Sequence, residues 1–419
     1  MSTSSRWIKT AILLLGMVVA IGGRPLTAAD WPQFLGPNRN GISAETGLID
    51  AWPAGGLKQL WRVDGGVGMS AVTVKDGVAC TLIQVGGSQS VIALEAASGK
   101  TKWTTQVAKA YSNQMGNGPR ATPAIAGNAV YVMTGDGTLA ALKLSDGETI
   151  WSHNVFKRHG GKPADYGMAC SPLVSGSVVI VTIGSPSATV VACDLKTGET
   201  KWTAGRGEAA GYSSPSVLKI GGKDQLVVFA GASAFAVDPA SGKQLWRYAY
   251  VTAYDCNIAT PLAVGGNVLI SAGENHGSAL LKIGSGSAVS EVWTSIGTRS
   301  VLRNEWQTSI QLGGHLYGFD NVGSAGPVTH LTCVKAATGE RVWQQLRFGK
   351  GNLISADGKL FASTMKGEVV VVNATSDGFQ ELGRQTVLGR TRQAPSLSDG
   401  RLFLRDDKVI VCLDVRAAK

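Results

Sequence analysis

The chain has 419 residues, a formal net charge of +10 and 55 glycines. Only 16% of residues are charged while 44% are apolar, which excludes a disordered chain and leaves enough material for a large core. The glycines follow no three-residue period, which excludes collagen, and scarce Glu and Lys beside plentiful β-branched residues argue against a long helical bundle.

At the start, Arg6 and Lys9 precede the apolar run Ala11–Ile21, and Thr27-Ala28-Ala29 offers small residues for cleavage. This pattern predicts a signal peptide over 1–29 and an exported chain, periplasmic, envelope-bound or extracellular. The apolar run is too short to span a bilayer comfortably, and no later segment is long enough, so no transmembrane span is expected after cleavage. Loss of Arg6, Lys9 and Arg24 takes the net charge from +10 to +7. The first cysteine is Cys80, so no lipid anchor is expected. Residues 30–56 read as an extended N-terminal segment; bracing the outside of the fold and covering one of its openings are both open to it.

From residue 57 onward the chain repeats. A glycine turn is followed four residues later by tryptophan: ASGKTKW ends at Trp103, SDGETIW at Trp151, KTGETKW at Trp202, ASGKQLW at Trp246 and ATGERVW at Trp343. Trp293 follows a degraded turn, SDGFQEL places Leu382 in the same slot, and LKQLW sets Trp61 at the head of the series. The spacing of about 40–50 residues suits one four-stranded propeller blade. Each unit opens with an entry such as ATPAIAG or CSPLVSG, continues through two apolar strands, and reaches the turn, where a tight hairpin needs a positive φ. The tryptophan then falls on an outer strand, where its ring can fill the wedge between blades.

Seven units run from about 69 to 386. The eighth, 395–415, has three strands and then the chain ends, and LKQLWRV (57–63) can supply the fourth. The sequence therefore predicts an all-β fold: an eight-bladed β-propeller of four-stranded antiparallel blades over 57–419, its last blade closed by an N-terminal strand. Such closure removes exposed sheet edges.

These units closely resemble the pyrroloquinoline quinone (PQQ)-like repeat. Eight-bladed propellers of that kind occur in quinoprotein alcohol dehydrogenases and in the outer-membrane protein assembly factor BamB. The opening DWPQFLGPNRNGIS and the stretch FGKGNLISADGKLFASTMKGEVVVVNAT are similar to secreted members of the group. The resemblance implies one of two activities. One is PQQ-dependent oxidation of an alcohol or sugar, with the quinone over a tryptophan floor, beneath a disulfide of adjacent cysteines and beside Ca²⁺. The other is non-catalytic binding or scaffolding in the cell envelope. The six cysteines include no adjacent pair, and no Glu/Asn/Asp calcium set is recognisable. No catalytic residue and no metal ligand is therefore assigned, and the expectation is an envelope protein or anionic ligand as partner, with no cofactor.

A site is expected where the outer-to-inner loops converge on one mouth of the channel. Those loops carry fourteen Lys and Arg against four Asp and Glu, which predicts a cationic face. Trp306, outside the ladder, sits at an entry after Arg303 and Asn304. Arg120, Tyr166, Tyr212, Asn257 and Arg392 occupy comparable entries. Arginine suits carboxylates because its planar fork matches them. His153 and His159 have no third ligand beside them and read as solvated loop residues. Cys193, Cys333 and Cys412 read as buried small hydrophobes, while Cys170 and Cys256 lie in loops where a bridge is open. Nucleic acid is not expected, since export and the absence of dense basic–aromatic interleaving argue against it. A monomer is expected.

Overall fold

The structure is a computed structural model that describes residues 29–324 and 326–417. The expected signal peptide falls outside the described residues except for Ala29. Eight four-stranded antiparallel sheets form the blades of a propeller. Blades 1 to 7 occupy 73–109, 124–154, 173–204, 216–249, 262–296, 310–345 and 351–386. Blade 8 takes three strands from 396–414 and its outer strand, Gln59–Asp64, from the other end of the chain. That strand pairs antiparallel with Val409–Asp414, with Trp61 opposite Cys412.

Every outer strand carries the same irregularity. The register shifts by one residue immediately before the tryptophan, so that Lys102, Ile150, Lys201, Leu245, Val292 and Val342 bulge out. The bulge leaves each indole facing the next blade. Five of them, those of Trp61, Trp103, Trp151, Trp202 and Trp293, lie there on the glycine of that blade's turn: a Cβ on Gly147 would come 2.4 Å from the Trp103 ring, and one on Gly99 2.8 Å from Trp61. The turn glycine thus meets two demands, a φ of +77° at Gly147 and room for the neighbour's ring. Most of the indole N–H groups finish the contact on the next blade, Trp103 Nε1 donating to Leu144 O at 3.0 Å and Trp61 Nε1 to Ala96 O at 3.0 Å, whereas Trp246 Nε1 donates to Gln225 Oε1 of its own blade.

Blade 7 departs from the sequence reading. Leu382 is its bulged residue, and Gly383 stands opposite Val371 in the tryptophan register. The turn after Gly378 is one residue longer than the four-residue spacing assumes. The missing ring comes from elsewhere: the indole of Trp52 covers Gly383, so close that a Cβ there would sit 2.2 Å away. The N-terminal segment therefore completes the ladder at the blade whose own strand lacks a tryptophan.

The rest of that segment crosses the ring. Trp31 exchanges two backbone hydrogen bonds with Val74 of blade 1, and Pro32 O accepts from Ile125 of blade 2. The Arg39 guanidinium donates to Ser171 O at 2.9 Å and Pro172 O at 2.8 Å at blade 3. Gly41 and Ser43 bond Ser355 of blade 7, and the buried Glu45 carboxylate accepts from the Asp399 and Gly400 amides of blade 8. These contacts lie toward the ends of the inner strands, so the segment closes the channel opposite the outer-to-inner loops.

The inner strands are tied by hydroxyls of the entry motifs. Ala71 N donates to Thr122 Oγ1 at 3.0 Å, Thr122 N to Ser171 Oγ at 2.9 Å and Ser171 N to Ser214 Oγ at 2.9 Å. Thr260 N donates to Thr308 Oγ1 at 2.9 Å. Each tie satisfies a buried amide that no neighbouring strand reaches.

All six cysteines are free and buried, so Cys170 and Cys256 form no bridge. His153 and His159 are not loop residues. His153 ends the outer strand Thr149–Asn154 and stacks on Trp151 at 5.7 Å, and His159 closes the short helix Val155–His159. Among the described residues, no helix is long and apolar enough to cross a membrane.

Candidate functional site

With one end closed, the channel is a blind cavity of about 170 Å³ open toward the outer-to-inner loops. The entry segments of all eight blades line it, with small side chains such as Ala71, Thr122, Ser171 and Ala394, and Phe34 of the crossing segment adds an aromatic edge. Small residues leave room at the axis, where larger ones from eight blades would collide.

Five of the eight residues singled out from the sequence come together here: Arg120, Tyr166, Tyr212, Trp306 and Arg392. They are not equivalent. Arg120 is 7% exposed, and its donors are occupied by Tyr166 O at 2.8 Å, Gly116 O at 2.7 Å and Gly118 O. It clamps its own loop and has no fork to offer a carboxylate; burial lowers its pKa. Tyr166 and Tyr212 stack at 5.6 Å, and burial pushes the Tyr212 phenol up to about 12, so it stays a neutral donor. Trp306 is half-buried, with Lys350 Nζ 4.0 Å and the Arg392 guanidinium 5.1 Å from its ring centre. Cations against an indole are held by its electron-rich face. Arg392 also donates to Met115 O at 2.6 Å, drawing the 111–118 loop over the opening.

The other three residues turn into the protein. Arg303 is 3% exposed and bound bidentately to Asp320 at 2.6 and 2.8 Å. Asn304 donates to Phe319 O at 2.9 Å, and Asn257 donates to Ala230 O at 2.6 Å and Tyr250 O at 3.1 Å. Arg303 thus neutralises a buried carboxylate, and the two asparagines satisfy backbone carbonyls in the interior.

The cationic bias expected from charge counting is partly offset by ion pairs. Arg158 pairs with Glu199, Arg247 with Glu208, Lys350 with Glu305 and Arg384 with Glu381. Glu199 and Glu381 lie outside the loops that were counted. Burial pulls both members of the Lys350–Glu305 pair toward their neutral forms, raising the carboxyl and lowering the amine, while their mutual attraction opposes it. What stays open is narrower: Arg390, which is exposed, and half-buried Arg392, beside Trp306. Among the described residues neither arginine has a carboxylate within ion-pair distance. Arg390 is a residue that charge counting alone did not single out. Nearby, Tyr254 is 69% exposed with its backbone left-handed at φ +59°, and Val251 is 67% exposed.

The residues present do not fit a calcium-bound quinone. Among the described residues no three His, Cys, Asp or Glu are grouped to hold a metal ion. The Glu305 carboxylate, next in sequence to Trp306, pairs through one oxygen with Lys350. Arg303 and Asn304, which precede Trp306, are bound to Asp320 and Phe319 O and are not free for a ligand over its ring.

A family model described as outer membrane protein assembly factor BamB matches residues 42–166, 89–316 and 327–419. The outer membrane protein assembly factor BamB of Shewanella oneidensis is 27% identical over 214 residues, and the chain spans about half (50%) the length of that relative. Among solved structures, the quinohemoprotein alcohol dehydrogenase from Comamonas testosteroni superposes with a TM-score of 0.67 at 16% identity, over 93% of this chain and 81% of that one. BamB from Moraxella catarrhalis gives 0.60 at 15% identity, over 85% and 97%. At such identities the two structures speak for the fold alone. The match of the family model along most of the ring, together with the eight blades, shows that the chain belongs to the PQQ-like propeller family of the outer membrane protein assembly factor BamB.

Proposed function

We propose that the chain is an exported, non-catalytic scaffold of the cell envelope that holds a protein partner at the open mouth of its channel. The observation that carries this reading is the composition of that mouth. Trp306, Tyr254, Met115, Arg390 and Arg392 stand together on a rigid ring, and aromatic, Met and Arg side chains are those that anchor protein interfaces. The relatives named as assembly factors support a protein partner, and residues 1–29 support export.

Photo-cross-linking in cells tests it. A benzophenone side chain placed at Tyr254 or Arg390 is expected to give a discrete adduct with an envelope protein. The same group at Lys219, on the closed end, is expected to give none. Absence of adducts at the mouth, or the same adducts from both ends, would contradict the reading. Addition of PQQ and Ca²⁺ to the purified chain is expected to produce no dye-linked oxidation of alcohols or sugars; turnover would establish the dehydrogenase reading instead.

A further inference from the structure

The mouth has two parts of different chemistry side by side. The first is the cavity of about 170 Å³, whose larger walls are Met69, Met115, Ile258, Tyr166 and Trp306. An apolar cavity of roughly 150 Å³ accepts a single benzene ring, so this one has room for one aromatic side chain. The second part is the arginine pair. Arg392 borders the cavity and both clefts beside it, and Arg390 borders those two clefts. Their guanidinium groups repel each other, which lowers the Arg392 pKa beyond the effect of burial; Asp407 and Glu305 offset this in part. Asp407 shares one cleft with the arginines, where it accepts from Gly68 N at 3.3 Å. Two adjacent cations without an ion-paired carboxylate form a place where an incoming one is favoured.

Resting on the reading of the mouth as a partner site, we propose that it recognises an extended segment of the partner that presents an aromatic side chain and, two residues along, an aspartate or glutamate. In an extended chain, residues i and i+2 project on the same side about 6.6 Å apart. The ring enters the cavity while the carboxylate meets Arg392 and Arg390. The clamped 111–118 loop and the closed channel end prearrange both parts, which limits the ordering cost of binding.

Fluorescence anisotropy with acetylated, amidated peptides tests this. A peptide carrying Phe-Ser-Glu in a Gly/Ser background is expected to bind at least about tenfold more tightly than its Phe-Ser-Gln or Ala-Ser-Glu counterparts. Arg392→Gln is expected to erase the preference for Glu over Gln. Ala169→Phe, which fills the cavity from its half-buried wall, is expected to erase the preference for Phe over Ala while the chain stays folded by circular dichroism. Equal binding of all three peptides would overturn the proposal, as would insensitivity to Ala169→Phe. Tighter binding of a peptide ending in a free C-terminal Phe and lacking Glu would overturn it in favour of chain-end recognition. Cross-linking at the mouth without peptide binding would sink this proposal alone; failure of both would sink the partner reading with it.

Discussion

Replacing Arg405 with leucine is expected to destabilise the chain by about 4 kcal/mol, read as a shift of the urea midpoint. Arg405 lies on the second strand of blade 8 and is 1% exposed. Its guanidinium donates to Leu82 O at 2.6 Å, Thr81 Oγ1 at 3.1 Å and Gly66 O. Those acceptors are more than 300 residues away in sequence and belong to blade 1 and the connection leading into it. Leucine would leave them buried without a donor. Burial lowers the Arg405 pKa to about 10, opposed by the Asp407 and Asp406 carboxylates, so the side chain keeps its charge at neutral pH. The comparison variant is Arg416→Leu, which breaks an exposed pair with Asp414 and is expected to shift stability by less than about 1 kcal/mol. Equal shifts in the two variants would show that the seam between blades 8 and 1 does not hold the ring together.

The second large effect is expected at the ladder. Trp61→Ala is predicted to cost about 4 kcal/mol, because a buried indole and its hydrogen bond to Ala96 O are lost and a cavity remains beside Gly99 and Phe403. The ring centres of Trp61 and Phe403 are 5.9 Å apart. Trp52→Ala, at a half-buried ring, is predicted to cost roughly half as much. Chemical denaturation of both variants checks this. A negligible effect of Trp52→Ala would show that the ring over Gly383 is not the eighth member of the ladder.

Most of the fold was legible because most blades repeat one physical solution: a positive-φ glycine, a bulge and a ring that leans on the next glycine. The entry motifs were legible as strands but not as hydroxyl ties; Thr122, Ser171, Ser214 and Thr308 carried that signal in their spacing. Leu382 was misplaced because a turn one residue longer shifts the register, and sequence spacing cannot see the shift. The site was only partly legible. Composition located the mouth, yet Arg120, Arg303, Asn304 and Asn257 read as available donors, whereas burial commits each to a partner inside the protein. Counting charges by loop left out part of the balance for a related reason, since Glu199 and Glu381 pair with loop cations from outside the loops counted. The crossing of residues 30–50 over the channel has no local signature, because Arg39 and Glu45 gain their partners only once blades 3 and 8 are in place.

Hydrogen exchange of the intact chain, read by mass spectrometry, tests the account most directly. If the ring is closed by its own N-terminal strand and blocked at one end by the segment before it, amides within 59–64 and the bonded amides of 31–49 will exchange as slowly as those of 409–414. Fast exchange across 31–64 beside a protected 396–414 would mean an open ring and a channel accessible from both ends, and the single mouth on which the binding proposal stands would not exist.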